Sequence, residues 1–266
     1  MVRYRRKTVT ENLRLTLPGR NEVEIRNIRR KFYRHLCDIF MEMIKSISIS
    51  RQEMRKRFHC TNPEILVEFE KKEKSMIFLL GHYGSYEWIN SLDHITNFES
   101  VGIYKPIRNP YFDQLARRIR GRLGSRLIAS QDVVREVIKD KRQGKKVAYG
   151  LISDQSPKLS NANYWTEFMG ITVPVFTGGE QLARKLDLSV IYLRTQKVKR
   201  GFYEVELVPI TQDAPNQKEY EITNTFLTLL EDQIKAKPEH YFWTHKRWKL
   251  RDTPSPKNAV VYSRKK

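Results

Sequence analysis

The sequence predicts an α/β fold: a mixed, largely parallel sheet flanked by helices, with an amphipathic helical extension at the N-terminal side. Three observations carry this. Short continuous apolar runs, of which Met76-Ile77-Phe78-Leu79-Leu80 is the clearest, recur from residue 76 onward. Stretches with helical periodicity separate them. Residues 22–47, ahead of the first run, hold a long helical pattern of their own. Strands that are apolar at every position need cover on both faces, and helices between them supply it in parallel sheets.

In order, residues 22–47 carry Val23, Ile25, Ile28, Phe32, Leu36, Ile39, Phe40, Met43, Ile44 and Ile47 at largely helical spacing, with Arg26, Arg29, Arg30, Lys31 and Arg34 between them. This predicts an amphipathic helix whose basic face is either a solvated surface or a membrane-facing one. A second helix is expected over 64–72. Strands are expected at 76–80, 101–104, 126–129, 146–152, 188–194 and 203–209. Helices are expected at 86–94, 110–123, 132–142, 178–186 and 217–236. Residues 1–250 read as one domain, 1–72 helical and 73–250 α/β, followed by a basic, flexible tail over 251–266. In such sheets reactive groups gather beyond the carboxyl ends of the strands.

The chain has 266 residues and a formal charge of +20, from 50 Lys and Arg against 30 Asp and Glu. That field favours polyanions, whether nucleic acid, anionic lipid, phosphorylated substrate or an acidic carrier protein. Cys37, expected in the core, and Cys60 are too few for a disulfide framework, which makes a reducing compartment the default. No apolar run reaches the ~18 residues of a membrane span, and no secretory signal is present. The opening Met1-Val2-Arg3-Tyr4-Arg5-Arg6-Lys7 reads as the cytoplasmic flank of a removed anchor.

Chemistry concentrates in Gly81-His82-Tyr83-Gly84-Ser85-Tyr86-Glu87-Trp88, directly after the strand at 76–80. A histidine and a carboxylate can form a general base, the carboxylate fixing the ring tautomer and balancing the imidazolium. Five residues apart on one helix would set the two side chains about 140° apart, so His82 belongs in the turn and Glu87 in the helix. A turn histidine beside a helix-capping carboxylate is the bland alternative. No serine elbow, metal-ligand spacing or phosphate loop accompanies the motif, which favours direct attack of a hydroxyl on an acyl carbonyl and gives no foothold to a cofactor or metal. Arg108 lies in a stiff loop between Pro106 and Pro110, and Arg117, Arg118, Arg120, Arg122 and Arg126 follow; they suit a phosphate or form a solvated face. Asp154 and Gln155 follow the strand at 146–152, for an acceptor hydroxyl or as a loop cap. Residues 165–179, apolar and punctuated by glycine, line an acyl-chain channel or pack as core.

Together these blocks resemble the bacterial lipid A biosynthesis acyltransferases, within the lysophospholipid acyltransferase superfamily. The octapeptide is similar to the family's His-x4-Glu motif, where glycerolipid branches usually carry aspartate. Tyr104-Lys105-Pro106 with Asn109-Pro110, Ser153-Asp154-Gln155, and Tyr241-Phe242-Trp243-Thr244-His245-Lys246-Arg247-Trp248-Lys249 resemble further family blocks in the family's order. Departures are Ser85-Tyr86, where Asn-Trp is usual, Lys105 for arginine, and the missing N-terminal membrane helix.

The resemblance implies a glycerolipid acyltransferase-like fold and acyl transfer without cofactor or metal. It implies His82 as general base with Glu87 as its partner, Arg108, Arg122 and Arg126 as phosphate contacts, and Asp154 and Gln155 at the acceptor. The donor is then an acyl thioester on acyl carrier protein or CoA, and the acceptor a hydroxyl of a phosphorylated glycolipid such as a lipid A precursor. The setting is the anionic cytoplasmic face of the bacterial inner membrane. The same chemistry on a lysophospholipid or an amino-acid-linked lipid is the first alternative. A nucleic-acid-binding protein is the remote one, since only charge and aromatics favour it and no recognised nucleic-acid motif occurs.

Overall fold

The computed structural model describes residues 4–122 and 124–263. Met1, Val2 and Arg3 of the flank-like start, and Arg264, Lys265 and Lys266 of the basic tail, lie outside the described residues. In chain order the elements are α1 (Arg6–Thr16), α2 (Glu22–Lys45), α3 (Arg51–Arg57), β1 (Phe58–Cys60), α4 (Ile65–Glu70), β2 (Met76–Leu80), a 3₁₀ helix (Tyr86–Ile95), β3 (Glu99–Tyr104), α5 (Pro110–Arg122), β4 (Arg126–Ala129), α6 (Val133–Arg142) and β5 (Val147–Ile152). There follow β6 (Tyr164–Phe168), β7 (Ile171–Pro174), α7 (Gly178–Leu186), β8 (Ser189–Lys199), β9 (Phe202–Thr211), α8 (Glu221–Ala236) and β10 (Val260–Tyr262), with short 3₁₀ turns at Leu159–Asn161 and Pro238–His240.

The main sheet has the order β1-β9-β8-β2-β5-β3-β4, parallel at every pairing except β8 with β9. This is the mixed, largely parallel sheet expected. The apolar run of β2 explains its central place. Ile77 and Leu79 point into one core, with α7 and α8, while Met76, Phe78 and Leu80 point into the other, with Trp88 and α4. All five are buried, since period-two alternation delivers side chains to both covered faces.

Four strands and two helices escaped the sequence pattern. α1 buries Val9, Leu13 and Thr16, spaced four and three residues apart, among helix-indifferent threonines and an asparagine. α3 is seven residues long and β1 three, too short for periodicity to register. β6 and β7 form a hairpin in which Phe168 pairs with Ile171 across Met169 and Gly170, both at positive φ. A turn of that kind usually advertises itself with asparagine or aspartate before glycine, and methionine hid it. Of the two readings given to 165–179, core is the one the structure has: Phe168, Met169, Val173 and Val175 join the main hydrophobic cluster. β10, in the stretch expected to be flexible, pairs in parallel with β6.

The long helix is corrected in its exposed side. Asn21 caps it in a capping box with Glu24, and Ile25, Phe32, Leu36 and Ile39 are buried as expected. Val23, Phe40, Ile44 and Ile47, counted with the buried stripe, are exposed, and so is Cys37. Both cysteines are free. Among the described residues no helix is long and apolar enough to cross a membrane.

Candidate active site

The site grows from two neighbouring strand ends. β2 and β5 run side by side with Leu80 paired to Ile152, so His82 and Asp154, each two residues further on, emerge together at the carboxyl edge of the sheet. The chain turns sharply after β2, with the Tyr83 N–H donating to the Gly81 carbonyl at 2.8 Å. Gly84 adopts φ 61°, and a Cβ at Gly81 would sit 2.6 Å from Leu230 Cδ1, so both glycines are required by shape. Residues 240–242 run over this turn like an added strand. Gly84 N–H donates to the His240 carbonyl and Phe242 N–H to the His82 carbonyl, both at 3.0 Å, and Tyr83 bridges Tyr241 in antiparallel fashion. α1 steadies that overlay, because Asn12 donates to the Trp243 and His245 carbonyls at 2.9 Å each.

His82 Nδ1 lies 2.6 Å from Asp154 Oδ1, and the Asp154 side chain is 1% exposed against 17% for His82. Burial alone would raise the Asp154 carboxyl. The facing His82 charge and ring hydrogen bond, the His82 backbone N–H and the Tyr241 hydroxyl outweigh it, and hold it below the usual carboxylate range. An ionised carboxylate only accepts, so Nδ1 carries a proton, and in the neutral ring Nε2 offers a lone pair. The Gln155 amide donates to that lone pair at 3.1 Å. The ring is held edge-on by Tyr86 at 4.9 Å between centroids and stacked with Phe242 at 6.0 Å. His245, kept neutral by burial with its pKa lowered to about 4, accepts a long contact from Ser156 N–H.

Glu87, read from the sequence as the partner of His82, does not take that place. The segment 86–94 is a 3₁₀ helix, not an α-helix, and the Glu87 carboxylate forms a two-pronged ion pair with Arg120 of α5, at 2.8 Å from Nε and 2.6 Å from Nη2. Burial works against the Arg120 charge, but the Glu87 hydrogen bonds and charge overcome it and raise its pKa. Arg120 also lies over the Tyr104 ring at 5.9 Å.

The other arginines scatter. Arg108 is exposed in the loop before α5. Arg122 donates to the Ile47 and Ile49 carbonyls and so ties α5 to the end of α2. Arg126 heads β4, at the sheet edge opposite His82, where it spans Glu99 at 2.6 Å and Asp140 at 2.7 Å. The structure thus joins His82 with Asp154 and Gln155, and Glu87 with Arg120, and leaves Arg126 out.

Tyr241, Phe242 and His245 were legible only as parts of a block, and Asn12 carried no signal at all. Arg120 could be singled out by helical phase: it lies two residues from Arg118 and Arg122, roughly 160–200° around α5 from each. Among the described residues no His, Cys, Asp and Glu grouping is suited to a metal.

Comparison with known proteins identifies the family. Residues 1–250 match the family model of the bacterial lipid A biosynthesis acyltransferases. The chain is 22% identical over 254 residues to lipid A biosynthesis acyltransferase 2 of Shigella flexneri, covering 94% of this chain and 79% of that one. It is 22% identical over 260 residues to the lipid A biosynthesis myristoyltransferase of Escherichia coli K12, covering 98% and 79%. With the lauroyltransferase of the same strain the identity is 22% over 265 residues, covering 96% and 82%. The chain therefore belongs to the bacterial lipid A biosynthesis acyltransferase family and is an acyltransferase.

Proposed function

We propose that this protein moves a fatty acyl chain from an acyl thioester, carried on acyl carrier protein or CoA, to a hydroxyl of a phosphorylated glycolipid of the lipid A type, at the cytoplasmic face of the inner membrane. The observation that carries the mechanism is the His82–Asp154 contact: a buried carboxylate on Nδ1 leaves Nε2 as the base. In this reading the acceptor hydroxyl displaces the Gln155 amide from Nε2. His82 takes the hydroxyl proton as the oxygen attacks the thioester carbonyl. The tetrahedral oxyanion collapses, the C–S bond breaks, and the leaving thiolate takes the proton back from the imidazolium. Asp154 orients the ring and balances its charge.

Glu87 then has a different duty from the one its spacing suggested. It fixes Arg120, whose Nη1 is not engaged by Glu87, as a cation for a substrate phosphate or for the oxyanion. Arg108, in the exposed loop leading to the same helix, would meet a lipid phosphate, and Arg122 would act through α5. The +20 charge suits an acidic carrier protein and an anionic bilayer.

Purified protein supplied with an acyl carrier thioester and a lipid A precursor is expected to produce the acylated lipid, and His82→Ala to abolish it. Near-normal transfer by that variant would end the mechanism. Tyr86, which forms one wall of the histidine and departs from the family's usual residue, favours a second acceptor reading, a lysophospholipid or amino-acid-linked lipid. Mass spectrometry of lipids from cells lacking the protein decides it: an unchanged lipid A with another lipid short of one chain would select the second reading.

A further inference from the structure

α2 and α5 are both amphipathic, and both leave an apolar side uncovered. On α2 a single outward stripe runs through Arg26, Arg30, Arg34, Cys37, Met41 and Ile44, with Phe40 beside it. At about 100° per residue these positions stay within one side of the helix, opposite buried Phe32, Ile39 and Glu42. The first half of the stripe is arginine and the second half apolar, with Phe40, Met41, Ile44 and, just past the helix, Ile47 each roughly half exposed.

α5 buries no residue at all, yet Tyr111 is 82% exposed and Phe112 63%, with Leu115 on the same side. Tyr111, Leu115 and Arg122 fall within about 40° of one another around this helix, and Arg120 falls roughly opposite Tyr111. Arg122 reaches the Ile47 and Ile49 carbonyls, so the α5 stripe runs directly to the apolar end of α2. The two uncovered faces meet there. Lys45 at the end of α2 and Arg118 on α5, both exposed, lie toward the junction, and exposed Arg108 precedes the far end of α5.

We infer that this joined face, the carboxyl half of α2 with the outer side of α5, is the surface by which the protein docks on an anionic lipid bilayer. Aromatic and aliphatic side chains ringed by arginine and lysine are what an interfacial helix presents, apolar groups at the acyl boundary and cations among the headgroups. Charge decides against a second copy of the chain as occupant, because two surfaces of a +20 protein would bring arginine against arginine.

The docking helix is also the one whose inner side holds Arg120 on Glu87, beside the histidine turn. A lipid lifted from the bilayer along α5 therefore meets the site without crossing bulk water. This deepens the proposed acyl transfer, but its test reads binding rather than turnover, so the two fail separately.

Flotation of the full chain with vesicles of phosphatidylcholine, alone and with phosphatidylglycerol added, tests it. Binding is expected only to the anionic vesicles and to weaken with salt. Tyr111→Ser with Phe112→Ser, and separately Phe40→Ser with Ile44→Ser, should each lower it by about tenfold or more. Lys45→Glu with Arg118→Glu should weaken the salt dependence. Circular dichroism melts of these surface variants should stay unchanged, which keeps lost binding apart from lost folding. Wild-type protein that ignores anionic vesicles, apolar variants that bind as well as wild type, or a solution dimer that the same substitutions dissolve, would each overturn the inference.

Discussion

The two charged pairs at the site are built in opposite ways. His82–Asp154 stands on β2 and β5, neighbouring parallel strands at the centre of the sheet, with the Asp154 carboxylate out of water and the turn clamped by residues 240–242. Glu87–Arg120 joins a 3₁₀ helix to α5, a helix with no buried residue that is held chiefly by its own polar contacts. The first pair has its geometry fixed by the fold before any substrate arrives, as a base requires. The second, on two peripheral elements, stands where the proposed lipid headgroup would be met. In the proposed mechanism one half orients the base and the other meets the substrate.

Substitution at each half tells the two apart, and the largest effect belongs to the rigid one. Asp154→Asn keeps the shape but offers Nδ1 the wrong partner, so kcat is expected to fall by about 10³ or more with little change in KM. Steady-state kinetics with the acyl carrier thioester measures it. Glu87→Gln releases one prong of Arg120 and should act mainly through acceptor KM, with kcat/KM lower by roughly 10–100-fold. Arg120→Lys should resemble it, because an ammonium cannot reproduce the two-pronged fork. A split the other way, with Asp154→Asn acting on KM and Glu87→Gln on kcat, would reverse the assignment of the two halves.

The smallest effect concerns the turn's support. Burial lowers His35 to about 2 and His240 to about 4, and their rings pack 4.8 Å apart behind the turn. Unfolded histidines protonate near pH 6.5, so between that value and these the unfolded chain holds more protons. Stability is then full above about pH 6.5 and declines on acidification, on the order of 1 kcal/mol for buried His35 between about pH 7 and pH 5.5. Urea titrations at both pH values should show it, and His35→Gln should weaken the dependence, leaving the part carried by His240 and His245.

The strands at 76–80 and 126–129 and the helix at 178–186 could be read to the residue, because apolar runs and caps are local signals. His82 and Asp154 could each be placed at a strand end for the same reason. Their meeting could not, since it depends on β5 returning beside β2 after two intervening strands, a matter of topology that no spacing records. The five-residue interval to Glu87 misled because it is a chain interval: the nearest carboxylate in sequence turns toward α5, while the one in contact lies 72 residues away. Exposed Phe40, Ile44 and Ile47 share the periodicity of a buried stripe, and only the packing of the neighbouring elements decides which side of α2 is covered.

The central claim is that Asp154, rather than Glu87, makes His82 a base. The most direct test is the pH dependence of single-turnover acyl transfer in wild type, Asp154→Asn and Glu87→Gln. The expected result is that Glu87→Gln keeps the wild-type pH profile of transfer at saturating acceptor while Asp154→Asn loses or displaces it. An unchanged profile in Asp154→Asn, with a displaced one in Glu87→Gln, would contradict the account.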